Sequence, residues 1–232
     1  QTLRKGVTMT RLAALFGAIV VAAIGAFFLL DGKTSSTPVG ANLIGAANAQ
    51  ETSEVDISSV VEMSLGAEDA PVTLIEYASY TCPHCASFHT GAFQEIKKNY
   101  VDTGKVRLVF REVYFDRFGL WASMIARCGG EERFFGISDL MFKNQATWSR
   151  AGGVPEIIGE LRKIGRLAGL EAEEIEACLQ DADKAQSLVA WYQKNAEADD
   201  VRATPSFVMN GRKLSNMSYS EFASEIDSEL GN

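Results

Sequence analysis

The stretch TCPHCASFH, residues 81–89, is the most informative part of this sequence. It holds half of the 4 cysteines and both of the 2 histidines in a chain of 232 residues. Such a concentration of nucleophilic and proton-sharing groups has three explanations, which are a redox dithiol, a metal site and a buried structural cluster. The sequence on either side of the stretch is needed to choose between them.

The flanking residues predict an α/β core. Residues 72–79, VTLIEYAS, are β-branched and aromatic, as in a buried strand, and the residues after CPHC have apolar side chains at mostly helical spacing. Residues 105–113 alternate as another strand. Late in the chain, VRATPSFVMNGRKL predicts a strand, a hairpin turn at Asn210-Gly211 and a further strand, and a final helix follows.

The pattern between the two halves of this core is helical. We therefore predict a first part of the core at residues 55–116, a helical insertion at residues 117–188 and a second part of the core at residues 189–232. We detect no internal repeat in the sequence.

The N-terminus reads as a targeting segment followed by a linker. Basic residues precede an uncharged apolar run at residues 12–30, which is just long enough to cross a hydrocarbon core of roughly 30 Å. We assign residues 1–30 to a signal or membrane anchor and the Gly-, Ala-, Ser- and Thr-rich residues 31–54 to a linker. An uncleaved anchor and cleavage near Ala49 both stay open, and both place the domain outside the cytoplasm, in the periplasm.

Charge and cysteine usage restrict the function. The formal net charge is −8, which repels phosphate backbones, so nucleic acid is not an expected partner. In an oxidising compartment an even number of cysteines favours disulfides. Cys82 and Cys85 are close enough for a local bridge, which leaves Cys128 with Cys178; two buried free thiols are the alternative for that second pair.

The CPHC motif suits a reactive dithiol. Cys82 follows a predicted strand and starts a predicted helix, where free backbone N–H groups and the helix dipole favour a thiolate. Cys85 lies one turn later and is expected to be more enclosed. His84 can donate to the thiolate, which stabilises the reduced form and makes the disulfide oxidising. Pro83 fits a first helical turn, which needs no N–H there.

The motif and its context resemble the DsbA-type thiol:disulfide oxidoreductases of the thioredoxin superfamily. The resemblance covers about residues 57–230 and rests on CPHC after IEYASY, ATPSF late in the chain and the helices between them. It implies a thioredoxin-like fold with an inserted helical domain. It also implies a strand acid, Glu76, six residues before Cys82, and a cis proline, Pro205, which faces the dithiol with Thr204 before it. An extended substrate could then pair with the Thr204 backbone.

The resemblance further implies an oxidase that passes its disulfide to reduced, newly exported proteins. A quinone-linked membrane protein would re-oxidise it. The only redox group would be the Cys82–Cys85 disulfide, without an added cofactor or metal, and a monomer is expected.

Other interpretations of these residues stay open at this stage. Glu76 within an apolar strand suits a proton relay to Cys85, with a solvent-facing position as the alternative, and Lys105 is a candidate partner for it. His89 is expected to be a partly exposed helix residue.

The alternatives in function belong to two classes. A disulfide reductase or isomerase would use the same fold. A membrane-anchored zinc or copper module would use Cys82, Cys85 and His89, although the sequence offers no second CxxC or HxxxH to complete a closed site.

Overall fold

The computed structural model describes residues 55–231. A mixed sheet of five strands forms its centre, in the order β1-β3-β2-β4-β5. The strands are β1 (Met63–Leu65), β2 (Val72–Ala78), β3 (Val106–Glu112), β4 (Ser206–Met209) and β5 (Arg212–Leu214). β2 and β3 are parallel, and the other neighbouring strands are antiparallel.

Helices precede β3, follow it and close the chain. They are α1 (Pro83–Thr90), α2 (Ala92–Ile96), α3 (Arg117–Cys128), α4 (Gly130–Lys143), α5 (Gln145–Trp148), α6 (Val154–Leu167), α7 (Ala172–Gln180), α8 (Ala182–Ala198) and α9 (Tyr219–Glu229). A single π-helical turn, Lys97–Val101, follows α2. Helices α3 to α8 all lie between β3 and β4 in the chain, so the architecture is a thioredoxin-like α/β fold with inserted helices.

The two larger of three hydrophobic clusters among residues 55–231 lie beside the CPHC helix. One includes the CPHC cysteines and the inner faces of α3 to α7, with Phe134 and Trp148 fully buried. The other lies between the sheet and helices α1, α2 and α9, with Phe207 and Phe222 fully buried. Because α1 contributes to both clusters, the residues that follow CPHC are packed on more than one side.

The strand predictions at residues 72–79 and 105–113 agree with β2 and β3 to within about a residue at each end. The predicted insertion boundary at residue 188 falls inside α8, which continues without a break to Ala198. The reason is that one buried face, which includes Leu188 and Trp191, extends across that position.

The N-terminal predictions concern residues outside the described part of the chain. These are the signal or anchor at residues 1–30, with its apolar run at 12–30, the linker at 31–54 and the cleavage site near Ala49. Of the helices between residues 55 and 231, none has the length and apolar character needed to cross a membrane.

Candidate active site

Cys82 lies at the junction of β2 and α1. It is the N-cap of α1 and has an extended backbone, with φ −84° and ψ 117°, and Pro83 occupies the first helical position. The Cys82 N–H donates to Ser79 O at 3.1 Å, which fixes the turn that leaves the strand. The thiol therefore sits where the unpaired N–H groups of a helix start converge.

A hydrogen-bonded anchor holds this turn to the inserted helices. Thr81 Oγ1 donates to Asp116 Oδ2 at 2.8 Å, and Asp116 Oδ1 accepts from the N–H groups of Phe118 and Gly119 at the start of α3. Asp116 thus caps α3 and holds the residue before Cys82 at the same time. This role is not among the predictions from the sequence; an Asp ahead of a helical pattern indicates a cap, but its contact with Thr81 depends on the tertiary fold.

The two thiols differ in exposure and ionisation. Cys82 is 9% exposed and Cys85 is 0% exposed, and both are free thiols in the structure. The pKa of Cys82 is lowered from 9.0 to about 5, chiefly by a hydrogen bond from the Cys85 side chain. The Thr204 side chain and the backbone N–H groups of Cys85 and His84 lower it further, against an opposing effect of burial.

Cys85 behaves in the opposite way. Burial raises the pKa of its thiol well above 9.0, and the hydrogen bond with Cys82 and the negative charge of Glu76 raise it further. At neutral pH the reduced pair therefore combines a thiolate at Cys82 with a protonated thiol at Cys85.

His84 and Pro83 are exposed on the outer side of the turn. The sequence predicts that the His84 side chain donates to the Cys82 thiolate. In the structure His84 lowers the pKa of Cys82 through its backbone N–H. The reason is geometric: the N–H groups of a first helical turn point back toward the cap, whereas side chains point outward.

The loop that contains Thr204 and Pro205 faces Cys82. Their peptide bond is cis, and the Cys82 thiol donates to Thr204 O at 3.4 Å. Pro205 is buried, and Thr204 Oγ1 is a buried atom with no hydrogen-bond partner when Cys82 is a thiol. The loop and the CPHC turn therefore come together although more than a hundred residues separate them in sequence, and the thiol touches the backbone of the loop.

Glu76 and His89 form a buried pair. Glu76 is 0% exposed and His89 is 3% exposed, and His89 Nε2 lies 3.0 Å from Glu76 Oε1. The expectation of a partly exposed His89 is wrong, because the side of α1 that carries this residue packs on the sheet. Lys105 is also not the partner of Glu76, since it is exposed and its Nζ lies 5.7 Å from the centre of the Tyr100 ring.

Cys128 and Cys178 form a disulfide, which is the pairing expected from the sequence, with a Cα–Cα distance of 6.0 Å. The bond joins the end of α3 to α7. It is thus a crosslink within the inserted helices, distinct from the CPHC pair.

The metal hypothesis required His89 as a third ligand beside Cys82 and Cys85. Within residues 55–231, no three His, Cys, Asp or Glu side chains are grouped so that they could hold an ion. His89 Nε2 is instead bonded to a carboxyl oxygen of Glu76.

A strand that leads into a CxxC turn, a helix that begins at the first cysteine and an opposing Thr-Pro loop define a thioredoxin-fold dithiol protein. The sequence model of the family described as thioredoxin matches residues 58–228. The chain belongs to the thioredoxin family.

Similar proteins agree with this assignment. A putative protein-disulfide oxidoreductase of Rickettsia bellii is 35% identical over 170 residues, covering 73% of this chain and 64% of that protein. Disulfide bond formation protein D of Bacillus subtilis is 27% identical, covering 72% of this chain and 76% of that protein. The crystal structure of Wolbachia pipientis alpha-DsbA1 superposes with a TM-score of 0.68 at 28% identity, covering 73% of this chain and 91% of that one. The chain thus spans less than two thirds of the length of the rickettsial relative.

Proposed function

We propose that this protein is an exported thiol:disulfide oxidoreductase that introduces disulfide bonds into exported proteins through its CPHC motif. One observation carries the proposal. The pKa of Cys82 is lowered to about 5, while burial raises the pKa of Cys85. One sulfur is thereby suited to attack and to be attacked, and the other is suited to stay protonated within the protein.

The proposed reaction starts from the oxidised protein, with a Cys82–Cys85 disulfide and no further cofactor. A substrate thiolate attacks Cys82 Sγ, which is the more accessible sulfur, and the electron pair of the broken bond goes to Cys85 Sγ. The second thiolate of the substrate then attacks the substrate sulfur bound to Cys82. The substrate leaves with a disulfide, and the protein is left as a dithiol.

The low pKa of Cys82 favours oxidation of the substrate as the direction. At about pH 7, a thiol with a pKa of about 5 stabilises the reduced protein by up to about 100-fold relative to an ordinary thiol. That is at most about 60 mV in reduction potential. Solvent has partial access to the thiol and screens the charge, so we expect roughly half of this value. A stabilised reduced state makes the disulfide an oxidant.

The Thr204–Pro205 loop offers a backbone with which an extended substrate peptide can pair. Thr204 O is within 3.4 Å of Cys82 Sγ, so an extended peptide that pairs with this backbone would bring its own sulfur next to Cys82. Backbone pairing is independent of side-chain sequence, which suits a broad set of reduced or unfolded exported proteins. We further propose a periplasmic location, with the chain either anchored by residues 12–30 or released after cleavage near Ala49. Re-oxidation would come from a quinone-linked membrane protein.

The proposal is tested by oxidation of a reduced dithiol peptide. Cys82→Ser and Cys85→Ser should each abolish the activity, because either change removes the disulfide that oxidises the peptide. The matched control is the double variant Cys128→Ser/Cys178→Ser, which removes the other pair and should keep the activity. Full peptide oxidation by Cys82→Ser would refute the proposal.

The direction of the reaction is tested by equilibrating the CPHC pair with a series of glutathione buffers. An oxidase should have a potential well above that of thioredoxin, which is about −270 mV. A value near that of thioredoxin would support the reductase or isomerase alternative. Mass spectrometry of protein purified without added metal tests the metal-binding alternative, which requires a stoichiometric, thiol-dependent ion.

A further inference from the structure

A carboxyl–imidazole pair lies between the central strand and the helix of the dithiol. Glu76 of β2 and His89 of α1 are joined at 3.0 Å between Oε1 and Nε2, and both are almost completely buried. His89 is four residues after Cys85 on α1, and residues four apart lie on the same face of a helix. The buried Cys85 thiol and the imidazole therefore both face the core in which Glu76 lies.

The surroundings of the pair are apolar. Phe110 of β3 and Phe207 of β4 are the strand neighbours of Glu76. The His89 ring stacks on Phe142 of α4, with ring centres 4.0 Å apart and 16° between the planes. Among residues 55–231, His89 is the only side chain that forms a hydrogen bond with the Glu76 carboxyl. The other carboxyl oxygen, Oε2, is buried without a partner.

The charged groups on the strands and helices that pack against the pair have other partners and do not bind the Glu76 carboxyl. Glu112 of β3 binds Arg127 through both carboxyl oxygens, at 2.6 and 2.7 Å. Asp139 of α4 binds Lys143 at 2.6 Å. α2 presents the ring of Phe93 to the imidazole. Cys85 is the titratable group on α1 whose ionisation responds to the charge of Glu76.

We propose that His89 is a positioning residue for proton transfer in this exchange. By donating from Nε2 to Glu76 Oε1, it leaves Glu76 Oε2 as the atom that passes a proton to and from Cys85 Sγ, directly or through a water molecule. The inference deepens the proposed dithiol exchange and rests on it.

Breaking the Cys82–Cys85 bond is coupled to the transfer of one proton to Cys85 Sγ. When a substrate thiolate attacks Cys82 Sγ, the S–S bond breaks and its electron pair goes to Cys85 Sγ. That sulfur takes the proton from Oε2 of the Glu76 carboxyl, and the N–H of His89 holds the carboxylate that remains. In the reverse direction, Oε2 accepts the proton of the Cys85 thiol, and the resulting thiolate attacks the mixed disulfide at Cys82. The oxidant in that direction is a disulfide such as oxidised glutathione.

The test measures the rate at which Cys85 attacks a mixed disulfide at Cys82. The Cys82–glutathione mixed disulfide is prepared, and release of glutathione is followed by acid quench between about pH 5 and pH 8. His89→Phe fills the aromatic surroundings but has no donor, and His89→Gln keeps an N–H donor but loses the ring. Phe93→Leu is the matched control, because it disturbs the packing around the imidazole and leaves the pair intact.

We expect His89→Phe to slow glutathione release by about tenfold or more near neutral pH, because a buried carboxylate that loses its charge-assisted donor is harder to form. The pH of half-maximal rate should rise by about one unit. His89→Gln should restore most of the lost rate, and Phe93→Leu should leave the pH profile unmoved. In a Glu76→Gln background, His89→Phe should have no additional effect.

A packing role for His89 predicts the opposite order, with His89→Gln slower than His89→Phe. That order would overturn the inference, and so would an unchanged pH profile in His89→Phe. The inference would also fail if the rate losses of the Glu76 and His89 variants multiplied in the double variant. Thermal unfolding checks that every variant is folded, and His89→Met, which also lacks the donor, replaces His89→Phe if the latter does not fold. If the parent protein releases no glutathione at any pH, the proposed function fails instead.

Discussion

Replacing Thr204 by valine should raise the pKa of Cys82 and lower the reduction potential of the CPHC pair. When Cys82 is a thiol, it donates to Thr204 O, and the Thr204 hydroxyl is buried without a partner. When Cys82 ionises, it has no proton to donate and can accept from this hydroxyl, which contributes to the lowered pKa. Valine keeps the shape of threonine but removes the donor.

The magnitude follows from the energy of one hydrogen bond to a charged group, about 1.5–3 kcal/mol. At about 1.4 kcal/mol per pKa unit, the pKa of Cys82 should rise from about 5 to about 6–7. Near pH 7 the equilibrium between the reduced and oxidised forms then shifts about 10- to 50-fold away from the reduced form. This corresponds to a reduction potential about 30–50 mV lower. Partial solvent access favours the lower end of that range.

The assay combines two measurements. Absorbance of the thiolate near 240 nm gives the pKa of Cys82, and equilibration with glutathione buffers gives the potential. Thr204→Ser, which keeps the hydroxyl, is the matched control and should stay close to the parent protein.

The dependence on pH separates this explanation from a general disturbance of the loop. Near pH 5 the thiolate is only partly formed in the parent protein, so the difference in potential should fall to about 10 mV or less. If the pKa is unchanged in Thr204→Val, the hydroxyl does not stabilise the thiolate. A difference in potential that is as large near pH 5 as near pH 7 would also contradict this role of the hydroxyl.

Other consequences concern stability. Because the pKa of Cys82 is lowered from 9.0 to about 5 on folding, the free energy of unfolding of the reduced protein should decline as the pH falls from about 9 to about 5. After allowance for solvent screening, the unfolding free energy measured in urea should decline by about 2–3 kcal/mol over this range. If a Cys82→Ala variant shows the same dependence on pH, Cys82 is not its cause. Removing the Cys128–Cys178 disulfide, which spans a separation of 50 residues, should cost up to about 4 kcal/mol of unfolding free energy; an unchanged urea midpoint would show that the unfolded chain is not constrained by it. Arg127→Met leaves the buried Glu112 carboxylate without its cationic partner and should cost about 3–5 kcal/mol in the same assay, and a second change, Glu112→Leu, should recover much of that loss.

Local sequence patterns are enough to predict the helix and strands that carry the chemistry. Local patterns are sufficient for a buried strand before Cys82, a helix that starts at Pro83 and a hairpin at Asn210-Gly211, because each depends on residues close together in the chain. The greater exposure of Cys82 compared with Cys85 also follows from their places in the first helical turn.

The hydrogen-bond partners of the buried polar groups, in contrast, depend on how the helices pack on the sheet. Glu76 could be recognised as a buried acid, but its partner is His89 on the facing helix and not Lys105. Thr81 and Asp116 meet because α3 packs beside the CPHC turn, and the Thr204 hydroxyl matters because the loop faces Cys82. Periodicity shows that a side chain is buried, but the choice of a hydrogen-bond partner depends on atoms brought together from distant parts of the chain, within about 3 Å, only when the helices pack on the sheet.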